Sequence, residues 1–421
     1  MNDYIPTKIK YSYNFNTGFT PDTSDKDSYS RNQEGHIWVT ISDLNTKYIT
    51  NSCQKLTDKG VKGKQNQIVK KGNLLFSFKL SVGKVAFAGC DFYTNEAIAN
   101  FSSVKNDLRY LFYAAPYFIV KNSNVNIYGA KILNQELIKN AKIPLPSIEK
   151  QIAIANFLDL KFSKIDRQIN VLKDEVQELK NFKQSIINKA CICGLHSDVA
   201  LKYSGHNWIG NIPSHWIVDK FNRICSIITD YVASGSFADL NKNVVYKDKE
   251  DYALLVRTTD LSNKNKNDSF VYVDKHSYEF LSNSNLFGGE VVLPNIGASI
   301  GDVYMVPKLY SKMTLGPNAI MIKSNYNDKY YFYLFSTEQF RNKLIDMGLS
   351  AAQSKFNKTN FRQLRGLIPP LAEQNEIVEF LDYKIEIIDK LIESKVSMIS
   401  EYSKLKESLA YEYVSGLKEV N

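Results

Sequence analysis

Phe157-Leu158-Asp159, followed by Ile165-Asp166 and a charged and apolar alternation that stops at Gly194-Leu195, is written twice in this chain. Phe380-Leu381-Asp382, Ile388-Asp389 and Gly416-Leu417 repeat the order at a nearly constant offset of 223 positions, and a proline precedes each copy, Pro146 and Pro369. Self-similarity on this scale sets the architecture before any single element is assigned.

Inside the first copy Leu158, Phe162, Ile165, Ile169, Leu172, Val176, Leu179 and Ile186 fall at steps of four and three, and Lys183 alone breaks the row. Such a heptad seam predicts a long helix that wants a partner helix. The second copy sets Leu381, Ile385, Ile388, Ile392, Ile399, Tyr402 and Leu409 at the matching positions, with Lys395 and Lys406 as polar interruptions. The simplest inference is that the two helices are each other's partner. About 40 helical residues at about 1.5 Å each make a rod on the order of 60 Å long.

Ahead of each helix lies a stretch of different character. Residues 1–145 hold short β-rich runs, His36-Ile37-Trp38-Val39-Thr40-Ile41, Asn73 to Phe78 and Lys84 to Ala88, punctuated by glycines. Asp107 is an expected N-cap for a short helix that Pro116 would stop. The region from about 200 to 367 repeats the plan. Thr40-Ile41-Ser42-Asp43-Leu44 is answered by Arg257-Thr258-Thr259-Asp260-Leu261, and Gly72-Asn73-Leu74-Leu75 by Gly289-Glu290-Val291-Val292. Ser81-Val82-Gly83-Lys84-Val85 is answered by Ser299-Ile300-Gly301-Asp302-Val303, and Asn95-Glu96-Ala97-Ile98 by Pro317-Asn318-Ala319-Ile320. The expected order is therefore globule (1–145), helix (146–195), globule (196–367), helix (368–421). Matching blocks with divergent loops suit two modules that read different targets from one scaffold. Asp43 and Asp260, which recur at one place, read as turn or strand-end caps.

Composition narrows the class. A chain of 421 residues should divide into two or more domains, and 44% hydrophobic residues supply ordinary cores. The sequence has no apolar run long enough to span a bilayer and opens without a basic, then apolar, leader, which argues against secretion and membrane insertion and for a cytoplasmic protein. Five cysteines without framework spacing read as free thiols of a reducing compartment. Cys191 and Cys193, one residue apart near His196, His206 and His215, are too closely set for a zinc knuckle, so no metal is expected. A net charge of +9 favours a polyanionic partner.

Catalytic signatures are missing. The chain has no G-x-x-x-x-G-K-[ST] phosphate loop. Pro369-Pro370 lacks the flanking residues of an adenine methyltransferase motif, and Glu393-Ser394-Lys395, a nuclease-like half-motif, falls on the heptad seam. No catalytic residue is assigned.

In the order of its blocks the chain resembles the specificity subunit of Type I restriction-modification systems. The resemblance rests on Gly18-Phe19-Thr20-Pro21, the Trp38 to Leu44 strand, Asn207-Trp208-Ile209-Gly210-Asn211-Ile212-Pro213-Ser214-His215-Trp216, and the Pro, Gln-Ile and Phe-Leu-Asp helix openings. Two departures stand out. The first module lacks the Trp-x-Gly-x-x-Pro-x-x-Trp opening, and Glu149-Lys150-Gln151 and Glu373-Gln374 differ in spacing.

The resemblance implies an α+β fold: two mixed α/β target-recognition globules, each followed by a long helix, the helices pairing as an antiparallel coiled coil with pseudo-two-fold symmetry. It implies a non-catalytic reader of double-stranded DNA, each globule recognising one half of an asymmetric bipartite site and the helices acting as a ruler between half-sites. Two methyltransferase subunits and restriction/translocase subunits are the implied partners. No cofactor is expected in this chain, with S-adenosylmethionine, ATP and magnesium expected in the partners. Leu160, Val171 and Phe182 in one helix and Leu391, Val396 and Leu405 in the other suit either partner docking or packing against a neighbouring globule. Side chains that match base edges or phosphates suggest Thr40, Lys79, Ser81, Lys84, Asn126 and Tyr128 as DNA contacts in the first module, and Arg257, Asn295, Ser299, Gln353, Ser354 and Lys355 in the second. A coiled-coil adaptor with two protein-binding globules and no DNA readout is the alternative.

Overall fold

The structure, a computed structural model, describes residues 4–32, 34–79, 81–125, 131–262, 270–349 and 355–420. It divides into two compact units, Met1–Lys173 with Val396–Asn421, and Asp174–Lys395. The two long helices, Ile148–Cys193 and Leu371–Val414, each contribute one part to each unit.

In the first unit a five-stranded sheet runs in the order Asn14–Thr17, Ile98–Ser102, Leu74–Ser77, Val85–Ala88, Tyr48–Ile49. A three-stranded sheet is centred on His36–Val39, which pairs in parallel with Tyr93–Thr94. The strand Leu74–Ser77 is buried at all four positions, which explains its continuous apolar run. Asp107 caps the helix Leu108–Phe118 by accepting from Arg109 N. Pro116 lies inside that helix rather than ending it. A proline removes one N–H donor there, and Ile119 N still reaches Ala115 O, so the turn continues to Phe118.

The second unit repeats this plan. Its four-stranded sheet has the order Cys225–Asp230, Ala319–Ser324, Val291–Pro294, Tyr304–Met305. Ala253–Val256 pairs in parallel with Met313–Leu315, the counterpart of the parallel pair in the first unit. The matched glycines adopt matched backbones: Gly72 and Gly289 at φ 89° and 91°, Gly83 and Gly301 at 98° and 96°. Such left-handed turns are open to glycine at little cost, so the repeated glycines mark repeated turns. Asp43 and Asp260 sit at the third position of a 3-10 turn, Ile41–Asp43, and a short helix, Thr258–Leu261, and accept from the backbone N–H of Thr40 and Arg257. Both are caps, as their recurrence suggested.

The long helices pair antiparallel in each unit. Lys406 reaches Asp166 at 2.6 Å in the first; Lys183 reaches Asp389 at 2.7 Å and Lys395 reaches Glu175 at 2.7 Å in the second. Leu158, Ile165, Ile169, Leu172, Val176, Leu381 and Ile388 are buried along the seam, and Phe162, Leu179, Ile385, Ile392 and Ile399 are partly buried. Every lysine that interrupts the apolar row thus meets a carboxylate of the facing helix. Lys395 of the nuclease-like half-motif belongs to this set.

Each globule is fixed to its helices by the acid of the repeated Phe-Leu-Asp. Asp159 accepts from Tyr113 at 2.6 Å and from Lys47 at 2.5 Å; Asp382 accepts from Tyr333 and Lys329, both at 2.6 Å. Tyr110 donates to Val414 O, and Tyr330 to Cys191 O, 223 positions earlier.

Candidate nucleic-acid interface

Four of the expected contact residues of the first globule, Thr40, Lys79, Ser81 and Lys84, gather on two neighbouring turns. The Leu74–Ser77 and Val85–Ala88 strands pair antiparallel, and the Ser77 hydroxyl accepts from Lys84 N and donates to Ser81 O, which closes the turn between them. Lys79 and Ser81 are exposed on it. Lys79 lies 3.6 Å from Glu96, whose carboxyl also accepts from the Thr20 hydroxyl. Burial alone would raise the Glu96 carboxyl, but Thr20, its own backbone N–H and Lys79 together bring it below the ordinary value, so an anion stands beside this lysine. Lys84 projects to Asn45 Oδ1 at 3.4 Å, which links the turn to the segment after Thr40.

Thr40 begins that segment. Its backbone N–H and hydroxyl both donate to Asp43 Oδ2, at 2.7 and 3.0 Å. Beyond it a groove of about 490 Å³ opens, lined by Thr40, Ser42, Asn45, Thr46, Asn51 and Gln54 among others. Asn126 and Tyr128 lie outside the described residues.

In the second globule the expected residues separate. Ser299, at the end of the turn Gly297–Ser299, and exposed Lys355 are brought close, since Ile296 bridges to Lys355. Arg341, which sequence reasoning missed, joins this edge at 3.8 Å from Asp302, and its stem is 3.1 Å from where a Gly301 side chain would begin. Arg257 is held along its own cap, its guanidinium 2.7 Å from Asp260, which raises its pKa further. A guanidinium so engaged has to leave that carboxylate before it can fork onto a guanine.

Asn295 differs from expectation. It is 6% exposed, its side-chain amide donates to Phe356 O at 2.9 Å, and its main-chain carbonyl accepts from Phe356 N at 3.1 Å. An amide committed to tying two chain segments together inside the globule is a structural residue rather than a base reader. Gln353 and Ser354 lie outside the described residues.

Leu160, Val171, Phe182, Leu391, Val396 and Leu405 are between 44% and 58% exposed, so none is packed into a globule core. Among the described residues no group of three or more His, Cys, Asp or Glu could hold a metal, and no helix is long and apolar enough to cross a membrane.

Comparison with known proteins identifies a family and a fold. The profile of a family described as Type I restriction modification DNA specificity domain matches residues 12–181 and 233–397. The chain is 26% identical over 319 residues to a putative type I restriction enzyme MjaX specificity subunit of Methanocaldococcus jannaschii, covering 73% of this chain and 67% of that one. It is 24% identical over 394 residues to the MjaVIII specificity subunit of the same organism, covering 89% and 85%. A solved structure from work on complex assembly and conformational transition of the type I R-M system superposes with a TM-score of 0.69 at 12% identity, over 98% of this chain and 99% of that one, a likeness of fold.

Proposed function

The chain belongs to the family of Type I restriction modification DNA specificity domains, and on that footing we infer that its two globules each read one half of a two-part duplex site. It is a DNA sequence-recognition subunit that works with the other subunits of a Type I restriction-modification system. Methyl transfer and cleavage belong to those partner subunits.

One observation carries the division into two readers. The caps at Asp43 and Asp260 and the paired left-handed glycines are the same in both units, while the exposed side chains around them differ. A shared frame with Lys79, Ser81 and Lys84 on one turn and Ser299 and Asp302 on its counterpart presents different chemistry from one geometry. Phosphate contacts from the lysines would position each globule, and side chains in the groove would select bases.

The helices support a partner arrangement. Two methyltransferase copies would dock through the exposed Leu160, Val171, Phe182, Leu391, Val396 and Leu405, since apolar side chains left in water on an otherwise charged helix mark a contact surface. S-adenosylmethionine, ATP and magnesium would be held by the partners, and the complex would act in the cytoplasm. The paired helices would fix the number of unread bases between half-sites.

Equilibrium binding of duplex DNA across a salt series tests the reading. A DNA reader loses affinity along a straight line in log K against log salt, because phosphate contacts release counterions. A chain that binds no duplex at any salt would instead be the protein-binding adaptor.

A further inference from the structure

We propose that the amide-lined groove of the first globule reads an adenine, with Asn51 and Gln54 as the residues that select it. The inference rests on the DNA-reading function above and assigns a base to one part of it.

Hydroxyl and amide side chains line the groove beside Tyr48, Ile49 and Cys53, and Asp43, the acid among the described lining residues, is turned to the fold. Asp43 Oδ2 accepts from Thr40 N, the Thr40 hydroxyl and the Ser52 hydroxyl, at 2.7, 3.0 and 3.0 Å. That charge is met by three donors, so it does not repel a polyanion as a bare carboxylate would. Lys84 stands at the rim, 3.4 Å from Asn45, where a phosphate beside the groove would find a cation.

The segment carrying Asn51 and Gln54 is pinned on both sides. Ile49 O accepts from Gly89 N at 2.7 Å and Thr50 O from the Cys90 thiol at 3.3 Å. A side chain at Gly89 would start 2.6 Å from the Thr50 methyl and 2.9 Å from Ile49 O, so the two segments touch. Downstream, Gln54 N donates to the Ser52 hydroxyl and Gln54 O accepts from Trp38 N, both at 3.1 Å. On this fixed backbone both side-chain amides are exposed, and neither has a partner among the described residues. Surface amides normally sit on mobile loops and lose entropy when they bind; here only side-chain rotamers remain to be ordered.

An exposed carboxamide offers one donor and one acceptor side by side. Adenine presents the complement in the major groove, an N7 acceptor beside an N6 donor, whereas guanine presents two acceptors that would face the amide oxygen. Among the described residues no lysine or arginine lines the groove, so none of them offers it the usual reader of guanine.

The test is selection of a randomised duplex library by the purified full-length chain, followed by sequencing. The wild-type chain should enrich a two-part motif with an A·T pair in the part read by the first globule. Replacing both residues, Asn51→Ala with Gln54→Ala, should cut discrimination at one such position roughly 10- to 100-fold. The other part of the motif and binding to unselected duplex should stay unchanged. Gln54→Glu presents acceptors only and should shift that position toward cytosine, whose N4 amino group donates. Both variants should melt with the wild type, because the two side chains hold nothing in the fold. Variants that enrich the full wild-type motif overturn this inference alone. So do variants that lose specific and unselected duplex alike. A wild-type chain that enriches no sequence overturns the DNA reading itself, and this inference with it.

Discussion

Gln151 and Gln374 hold equivalent places at the starts of the long helices and are 1% and 0% exposed. Gln151 donates to Pro146 O and accepts from Asp107 N; Gln374 donates to Pro369 O and accepts from Asn327 N. Asp107 and Asn327 are the N-caps of the globule helices, so each glutamine ties a cap to the first turn of a long helix. Gln374→Leu strands a half-buried N–H and a buried carbonyl and should cost roughly 1–3 kcal/mol, read as a lower urea midpoint. An unchanged midpoint would remove the tie from the account. The two departures noted in the sequence turn out to be one. Glu373 accepts from Trp216 Nε1 at 3.0 Å and pairs with His215 at 2.8 Å, so it serves the tryptophan motif that the first module lacks. Glu149 at the first helix start instead bonds with the Ser147 side chain, so the two glutamates have different partners, which a pattern read along the chain does not reveal.

The buried tyrosines at the joints add a pH dependence. Burial first, and the bond to Asp159 or Asp382 second, push the Tyr113 and Tyr333 hydroxyls well above their ordinary value of 10.0; Tyr110, Tyr330 and Tyr331 are raised by burial too. The folded chain keeps these hydroxyls protonated where the unfolded chain begins to release them. Their stabilisation is therefore complete below about pH 10 and lost above it. Unfolding midpoints should hold level through neutral pH and fall beyond 10, and the double variant Tyr113→Phe, Tyr333→Phe should fall less steeply.

At the scale of the element, the helix pair was legible as a seam but not as a set of bonds. Periodicity located Leu158 to Ile186 and Leu381 to Leu409 because apolar spacing is local information. It left Lys183, Lys395 and Lys406 as interruptions, because their carboxylates stand on the facing helix some 200 residues away. Asp166 and Asp389, the acids of the repeated Ile-Asp, explain why the repeat keeps an acid there. These pairs are partly exposed, so each is worth no more than about 1 kcal/mol. Lys406→Glu should place two acids together and lower the melting temperature, and adding Asp166→Lys should restore it. Failure of the double swap to recover the loss would mean that Lys406 acts through packing alone. Replacing both partners, Lys183→Leu with Asp389→Leu, should be neutral or mildly stabilising, since the seam around the pair is apolar, whereas Lys183→Leu alone leaves Asp389 unpaired and should lower the melting temperature. Pro116 shows a limit of another kind. A proline signal ends helices on average, yet packing of Tyr110, Leu111, Tyr113, Ala114 and Ala115 holds this one through the missing donor.

For the whole molecule, the duplicated order of globule and helix, the class of partner and the matched turns were all readable in the residues. Candidates for base contact were harder to read, because loop residue types do not disclose burial. Asn295 has the amide of an adenine reader and lies inside the second globule, whereas Asn51 and Gln54 drew no notice and stand exposed on a pinned segment. Partner docking can be tested without disturbing the fold. Phe182→Asp adds a charge to an exposed position, so the chain should fold as before while its affinity for the methyltransferase subunit falls roughly 10-fold in a pull-down titration. Undiminished association would place the docking surface elsewhere.

Sequencing of genomic methyladenine in cells carrying the chain and its methyltransferase partner, against the same cells without the chain, bears most directly on the function. The expected result is a two-part methylated motif present only with the chain, with Asn51→Ala, Gln54→Ala altering one part and sparing the other. A methylome that is the same with and without the chain, in cells where the partner is expressed and bound, would contradict its role as the element that chooses the sequence.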